Sequence, residues 1–77
     1  MSWLIKNNKL QKEFPFKTQT ELALFMLKIA QYADEISHHP DIKIYKCSIM
    51  NVELFTHDTN SISEKDYELA KFIDNIV

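Results

Sequence analysis

Residues 18–36, TQTELALFMLKIAQYADEI, decide the fold, because they predict one long helix between two stretches of strand-forming sequence. The helix begins at the capping box Thr18-Gln19-Thr20-Glu21, whose threonine and glutamate satisfy free N–H groups of the first turn. Apolar residues then recur at helical spacing and predict one buried stripe, formed by Leu22, Phe25, Met26, Ile29, Ala33 and Ile36. The helix should end near Ser37, because Pro40 disfavours helical geometry at His39.

The sequence on both sides of this helix predicts two β-hairpins. The predicted strand pairs are residues 3–6 with 9–16 and residues 42–45 with 50–57. Asn7-Asn8 suits the type I′ turn of the first hairpin, whose two central residues need positive φ. The second turn lies within residues 46–49. Because the chain contains no glycine, we expect turns that need positive φ to use asparagine.

A second capping box, Ser63-Glu64-Lys65-Asp66, predicts a final helix. Its apolar stripe consists of Leu69, Ala70, Ile73 and Ile76. The predicted order is therefore ββαββα. We expect an α+β fold in two layers, with a four-stranded antiparallel sheet and two helices packed on one face. Residues 1–77 are expected to form one domain.

The composition is that of a small globular protein and argues against nucleic-acid or membrane binding. The net charge is −2 and all nine cations are lysine, whereas nucleic-acid binders cluster positive charge and use arginine. No stretch approaches the roughly 20 apolar residues of a membrane span. Cys47 is the only cysteine, which leaves no disulfide or CxxC zinc site within the chain. The first residues are not typical of a signal peptide, so a cytoplasmic location is expected.

The small size of the chain favours association with further copies. A chain of 77 residues buries only about 60% of the surface that its unfolded form exposes. The long helix also carries apolar residues off its main stripe, at Ala23, Leu24, Leu27 and Ala30. These residues fit either a wide core face or a subunit contact. We expect a homodimer or a homotetramer.

The three histidines are the residues best suited to chemistry. His38 and His39 follow the long helix directly, and His57 ends the last predicted strand. Scattered surface histidines are the commonest outcome for such residues. A metal site with Asp34 or Asp58 is disfavoured, because adjacent side chains in an extended segment point opposite ways. General acid–base chemistry is the third possibility, since histidine exchanges protons near neutral pH.

Asp34 is the carboxylate expected to partner His38. It precedes this histidine by four residues, the spacing at which two helical side chains meet. A carboxylate there would orient the ring and hold it protonated, as would the dipole at the helix C-terminus. Asp66 is expected to act first as a helix cap. The residues by themselves leave the three interpretations of the histidines open.

The arrangement of these residues resembles the pterin-4a-carbinolamine dehydratases. The resemblance is carried by Asp34-x-x-x-His38-His39-Pro40, by Thr56-His57-Asp58 and by Asp66 nine positions after His57. Residues 10–16 and 63–73 are also similar to the second strand and the final helix of that family. The family removes water from 4a-hydroxytetrahydropterin to give quinonoid dihydropterin, which supports tetrahydropterin recycling. It uses no metal and no organic cofactor.

The resemblance implies a hydro-lyase whose site surrounds the histidines. His38 and His57 would be the acid–base pair, and His39 would help to hold the pterin. The resemblance places further substrate-binding residues around the pterin, namely Asp34, Pro40, Thr56, Asp58 and Thr59. Some relatives serve instead as binding or assembly modules without a catalytic role. The retained histidines favour the enzyme.

Overall fold

The strands and helices occur in the order ββαββα in the computed structural model, which describes residues 3–77. The elements are β1 (Leu4–Lys6), β2 (Lys9–Pro15), α1 (Gln19–Ile36), β3 (Asp41–Tyr45), β4 (Ile49–Leu54) and α2 (Glu64–Ile76). The four strands form one antiparallel sheet in the spatial order β1-β2-β4-β3. This arrangement confirms the predicted α+β fold. Across residues 3–77, neither helix is long and apolar enough to cross a membrane.

The core lies between the two helices and one face of the sheet. The register of β2 and β4 pairs Leu10 with Leu54 and Phe14 with Met50, so these side chains share a face. They form one buried cluster with Val52 of the sheet and with helical residues, namely Leu22, Phe25, Ile29, Leu69, Ala70 and Ile73. Both predicted helical stripes therefore contribute to the same core.

Lys12 breaks the alternation of β2, because it lies on the core-facing side between Leu10 and Phe14. Its side chain is only 10% exposed, yet its ammonium group lies 2.7 Å from Asp74 Oδ1 of α2. The Asp74 carboxylate also accepts a hydrogen bond of 3.0 Å from the indole of Trp3. The lysine stem covers apolar surface while its charge is paired at the edge of the core. The pair ties the end of α2 to the first hairpin.

The strand predicted over residues 50–57 ends early, at Leu54. Beyond this point Thr56 forms an isolated bridge with Ser61, through N–H···O bonds of 3.0 and 3.4 Å. The bridge closes a turn over residues 57–60, in which Asn60 has a φ of 54°. The chain therefore leaves the sheet to make a short loop, and His57 lies in that loop instead of on the strand.

In this glycine-free chain, asparagine occupies some of the positive-φ positions, as expected. Asn7 and Asn8 have φ values of 54° and 61°, as a type I′ turn requires. The expectation that asparagine alone would take positive φ is wrong, because Ser37, Lys46 and Cys47 do so as well. The register of β3 and β4 explains the positive φ of Lys46 and Cys47. Tyr45 of β3 pairs with the first residue of β4, so only residues 46–48 are left to reverse the chain.

Cys47→Gly should stabilise the protein. The cysteine is exposed and has a φ of 55°, where a Cβ atom costs about 1 kcal/mol and glycine fits without strain. Part of this gain is offset by the greater freedom of glycine in the unfolded chain. We expect the free energy of unfolding in urea to rise by about 0.5 kcal/mol. Cys47→Ala is the matched control, because it removes the sulfur and keeps the Cβ atom. An equal gain in both variants would show that backbone strain is not the cause.

Candidate active site

The end of α1 sets the directions of the two adjacent histidines. The Ser37 N–H donates to the Asp34 carbonyl oxygen at 3.3 Å, and the His38 N–H donates to the Ala33 carbonyl oxygen at 3.0 Å. Together with the left-handed conformation of Ser37 (φ 54°), these bonds form a Schellman motif. The predicted helix end near Ser37 is confirmed. Because the chain turns sharply there, His38 no longer follows the helical path.

His38 pairs with Asp66, a residue from the other helix. The His38 Nε2 atom lies 2.6 Å from Asp66 Oδ1. The His38 side chain is 12% exposed, and the Asp66 side chain is fully buried. The expected pair of Asp34 with His38 is wrong, because the turn at Ser37 points His38 away from α1 and toward the start of α2.

Two more polar groups donate hydrogen bonds to the Asp66 carboxylate. Its Oδ2 atom accepts from Thr56 Oγ1 at 2.7 Å and from the Ser63 N–H at 2.9 Å. Because the single hydroxyl proton of Thr56 is used in this way, the 2.6 Å contact between Thr56 Oγ1 and Ser63 Oγ has the serine as donor. Asp66 therefore serves as the N3 residue of the α2 capping box, as predicted, and also as the partner of His38.

The pKa of Asp66 reflects two opposing effects. Burial raises the pKa of the carboxyl group, because a charge is harder to solvate away from water. Hydrogen bonds from His38, the Ser63 N–H and Thr56 act in the other direction, as does the charge of His38. Their sum places the pKa below its ordinary value of 3.8, so the carboxylate is ionised at neutral pH.

The ionised carboxylate fixes the tautomer of His38. An ionised carboxylate only accepts hydrogen bonds, so the His38 Nε2 atom must carry a proton. Nδ1 is then the nitrogen that is free to exchange protons with a ligand. When Nδ1 is protonated, the positive charge of the ring is balanced by the buried Asp66. The pair can thus deliver or take a proton at one defined atom.

His39 pairs with Asp34 on the opposite side of the backbone. The His39 Nε2 atom lies 2.7 Å from Asp34 Oδ1, and the two side chains are 60% and 75% exposed. The two adjacent histidines therefore point to different helices, as expected for an extended segment. This pair is open to solvent, so it restrains the ring only weakly.

The third histidine, His57, packs against an aromatic ring. Its imidazole lies edge-on to Phe55, with ring centroids 5.0 Å apart and planes at 89°. Within residues 3–77, no carboxylate forms an ion pair with this ring. His57 thus contacts an aromatic ring, whereas His38 and His39 each contact a carboxylate.

The structure brings the three histidines to one cavity of about 320 Å³. The wall of this cavity is formed by Ser37, His38, His39, Pro40, Asp41, Phe55, Thr56, His57 and Asp58. Two of the predicted substrate-binding residues are not in this wall. Asp34 contacts His39 through its carboxylate. Thr59 lies in the 57–60 turn, where its hydroxyl contacts the Thr56 carbonyl oxygen at 3.5 Å.

Sequence reasoning did not assign site roles to Asp66, Phe55, Ser37 or Asp41. Asp66 had a signal, namely its place nine positions after His57 in the resembling motif, but its role as a helix cap gave a sufficient reason for it. Phe55 follows Leu54 in the predicted strand, and the alternation of that strand indicated only that the two side chains lie on opposite faces. Ser37 and Asp41 flank the histidine segment, and nothing in their identity points to a ligand.

No metal-binding cluster occurs in the described part of the chain. In residues 3–77, no three His, Cys, Asp or Glu side chains come together in a way that could hold a metal ion. Each of the paired histidines is directed to a separate carboxylate instead. His38 pairs with Asp66 and His39 with Asp34.

Comparison with known proteins agrees with this fold. The family model described as pterin 4 alpha carbinolamine dehydratase matches residues 1–76. A protein of Sulfolobus acidocaldarius, named as a candidate pterin-4-alpha-carbinolamine dehydratase, is 46% identical over 96% of this chain and 80% of its own length. A protein of Prochlorococcus marinus with the same name is 39% identical, over 99% of this chain and 79% of its own length. The chain belongs to the pterin 4 alpha carbinolamine dehydratase family.

Two solved structures share the fold. A transcriptional coactivator/pterin dehydratase from Brucella melitensis superposes with a TM-score of 0.88 at 27% identity, covering 97% of this chain and 79% of that chain. A pterin dehydratase-like protein identified as a RuBisCO assembly factor in the alpha-carboxysome has a TM-score of 0.79 at 23% identity, covering 97% of this chain and 88% of that chain. At that identity the second likeness concerns the fold alone.

Asp66→Asn should destabilise the protein at neutral pH and flatten the acid side of its stability profile. Both oxygens of the Asp66 carboxylate accept hydrogen bonds, so the NH₂ group of an asparagine would face another donor. An unsatisfied buried donor lowers the free energy of unfolding by about 1–3 kcal/mol. The folded-state pKa of Asp66 is lowered, so its stabilising effect is complete above the ordinary pKa of 3.8 and is lost as the pH falls through the folded value. Urea unfolding at pH 7 and pH 3 measures both effects.

The matched control is Asp34→Asn, which alters the exposed carboxylate of the other pair. It should leave the free energy of unfolding nearly unchanged at both pH values. If the two aspartate variants behave alike, the buried network does not stabilise the fold in the way described.

Proposed function

We propose that this protein removes water from 4a-hydroxytetrahydropterin to give quinonoid dihydropterin, as a hydro-lyase in tetrahydropterin recycling. The observation that carries the proposal is the cavity in which three histidines from two loops meet, one of them held by a buried carboxylate. Membership of the family supports the choice of substrate. The chain would act on a pterin without a metal or an organic cofactor, in the cytoplasm.

The reaction needs two proton transfers at neighbouring atoms of the pterin. The C4a–O bond breaks as the 4a-hydroxyl group receives a proton and leaves as water. The electron pair of N5 forms the new double bond to C4a, and the N5 proton is taken by a base. A pair of histidines on two sides of the ring edge serves both steps near neutral pH.

His38 is proposed as the acid. Its Nε2 proton is held by Asp66, so Nδ1 presents the proton that the leaving hydroxyl group receives. Balancing the ring charge with a buried carboxylate follows the same logic as the aspartate of a catalytic triad, which orients a histidine and stabilises its charged form. Asp66 acts through His38 and is therefore a positioning residue.

His57 is proposed as the base, and His39 as a group that holds the pterin. His57 is exposed, lines the cavity and has no carboxylate partner among the described residues, which leaves its ring free to accept the N5 proton. His39 is held by Asp34 in an orientation different from that of His38. Pro40, Thr56 and Asp58 complete the cavity around them.

Removal of either acid–base histidine should abolish most of the activity. His38→Ala and His57→Ala should each lower the rate of carbinolamine dehydration by about 10²–10⁴-fold, the usual effect of losing a general acid or base. The double variant should fall only a little further, because both groups serve one proton exchange. His39→Ala should mainly raise KM. A direct assay of dehydration with freshly formed 4a-hydroxytetrahydropterin measures all four.

Gln31→Ala on α1 is the control, because Gln31 is exposed and does not line the cavity. It should keep the full rate. An unchanged rate in the His57 variant, with an intact circular dichroism spectrum, would contradict the catalytic proposal. The chain would then be a dehydratase-like binding or assembly module.

We also propose that the protein is a homodimer or a homotetramer. Leu24 and Leu27 lie three residues apart on α1 and are 57% and 53% exposed, so two apolar side chains are neighbours on the helix surface. Ile44 of the edge strand β3 is also 47% exposed. A second copy would cover this surface.

Sedimentation at micromolar concentration should show a species larger than the 9.1 kDa chain. Replacing both Leu24 and Leu27 by Glu should shift the sample toward the single chain. Leu4→Glu is the control, because this leucine of β1 is 69% exposed and lies elsewhere on the sheet. A 9.1 kDa species alone in the wild type would refute the proposal, and dissociation by Leu4→Glu alone would refute the role of α1.

A further inference from the structure

The three site histidines are held by different kinds of contact. His38 and His39 each pair with a carboxylate, at 2.6 and 2.7 Å. His57 has no ion-pair partner among residues 3–77, and it lies in a turn of four residues instead of a strand. An unrestrained imidazole in such a turn would occupy several rotamers, and only a part of the molecules would have it in a reactive position.

Phe55 is the aromatic side chain that packs against the His57 ring. The two rings meet at 89° with centroids 5.0 Å apart, an edge-to-face geometry that aromatic rings prefer. Phe55 is half-buried and belongs to the wall of the same cavity. It therefore contacts His57 from within the site.

Phe55 is itself fixed from the sheet. The ammonium group of Lys9 lies 5.3 Å from the centroid of its ring, and the same lysine is 3.6 Å from the Glu53 carboxylate. A cation over an aromatic face attracts the ring, so Lys9 links Phe55 to the start of β2. The positions of Lys9, Phe55 and His57 are thus coupled in one row of contacts.

We infer that Phe55 is a positioning residue, which holds the His57 imidazole in the orientation needed for proton transfer. The inference rests on the proposed function for its effect on rate, but the orientation of the ring is a property of the free protein. The contact with Phe55 orients the His57 ring, as the hydrogen bond to Asp66 orients the His38 ring. It restricts the ring, and neither ring nitrogen of His57 has a hydrogen-bond partner among residues 3–77.

Phe55→Leu tests this inference, because leucine keeps an apolar side chain and removes the ring. The NMR signals of the His57 ring protons should lose the shift that the Phe55 ring current produces. The value of kcat for dehydration should fall by about 3- to 10-fold, the size expected for one aromatic contact, while KM changes by less than about twofold. Phe55→Tyr should restore the NMR shift and most of the lost kcat, because it returns a ring.

Phe16→Leu is the matched control. Phe16 is also half-buried and packs on another ring, Phe25, with centroids 5.0 Å apart, but it does not line the cavity. It should change the thermal stability and leave the His57 signals and kcat as in the wild type.

Two results would overturn the inference. The first is a His57 ring-proton spectrum that does not respond to Phe55→Leu. The second is a rise in KM with unchanged kcat, which would make Phe55 a binding surface for the pterin. If the wild type does not dehydrate the carbinolamine, the proposed function fails, and the NMR comparison still decides whether Phe55 orients His57.

Discussion

The buried carboxylate of Asp66 is the interaction on which the candidate site depends. It accepts hydrogen bonds from His38 after α1, from Thr56 after β4 and from the Ser63 backbone at the start of α2. The segments that follow α1 and β4 are thereby joined to the start of α2 at one side chain. A capping residue usually stabilises only its own helix. Here the cap also determines which nitrogen of His38 carries a proton, so local helix energetics and site chemistry share the same atoms.

The sharp turn at Ser37 is the second constraint, because it separates two histidines that are neighbours in sequence. A residue in the left-handed conformation ends α1 and sends His38 toward α2, while His39 stays near Asp34. Glycine is the usual residue at this position of a Schellman motif. Serine is tolerated because two backbone hydrogen bonds hold the turn. The pairs of His38 with Asp66 and of His39 with Asp34 hold the residues that follow it. The proposed division between a proton-transfer histidine and a ligand-holding histidine starts from this single backbone turn.

Periodicity and turn chemistry were sufficient to predict the fold, while the site depended on contacts between distant residues. The element order, the Asn7-Asn8 turn, the start of α1 at Thr18 and the cap at Asp66 all follow from local rules, and the structure confirms them. The end of β4 was predicted three residues too late, because the Thr56–Ser61 bridge depends on a loop closure that alternation does not encode. The partner of His38 was wrong for a similar reason. Spacing along a helix favoured Asp34, but the direction of the chain after Ser37 selected a carboxylate 28 residues away.

The different exposure of the two histidine–carboxylate pairs gives dissolved salt a selective effect. Mobile ions screen charges that are open to solvent, over a length of about 8 Å at physiological ionic strength, and they reach buried charges much less. The His39–Asp34 pair is largely exposed, whereas Asp66 is fully buried beside His38. Raising the ionic strength therefore loosens His39 and leaves His38 in place. The same cavity contains one histidine whose orientation follows the composition of the solvent and another whose orientation is set by the fold.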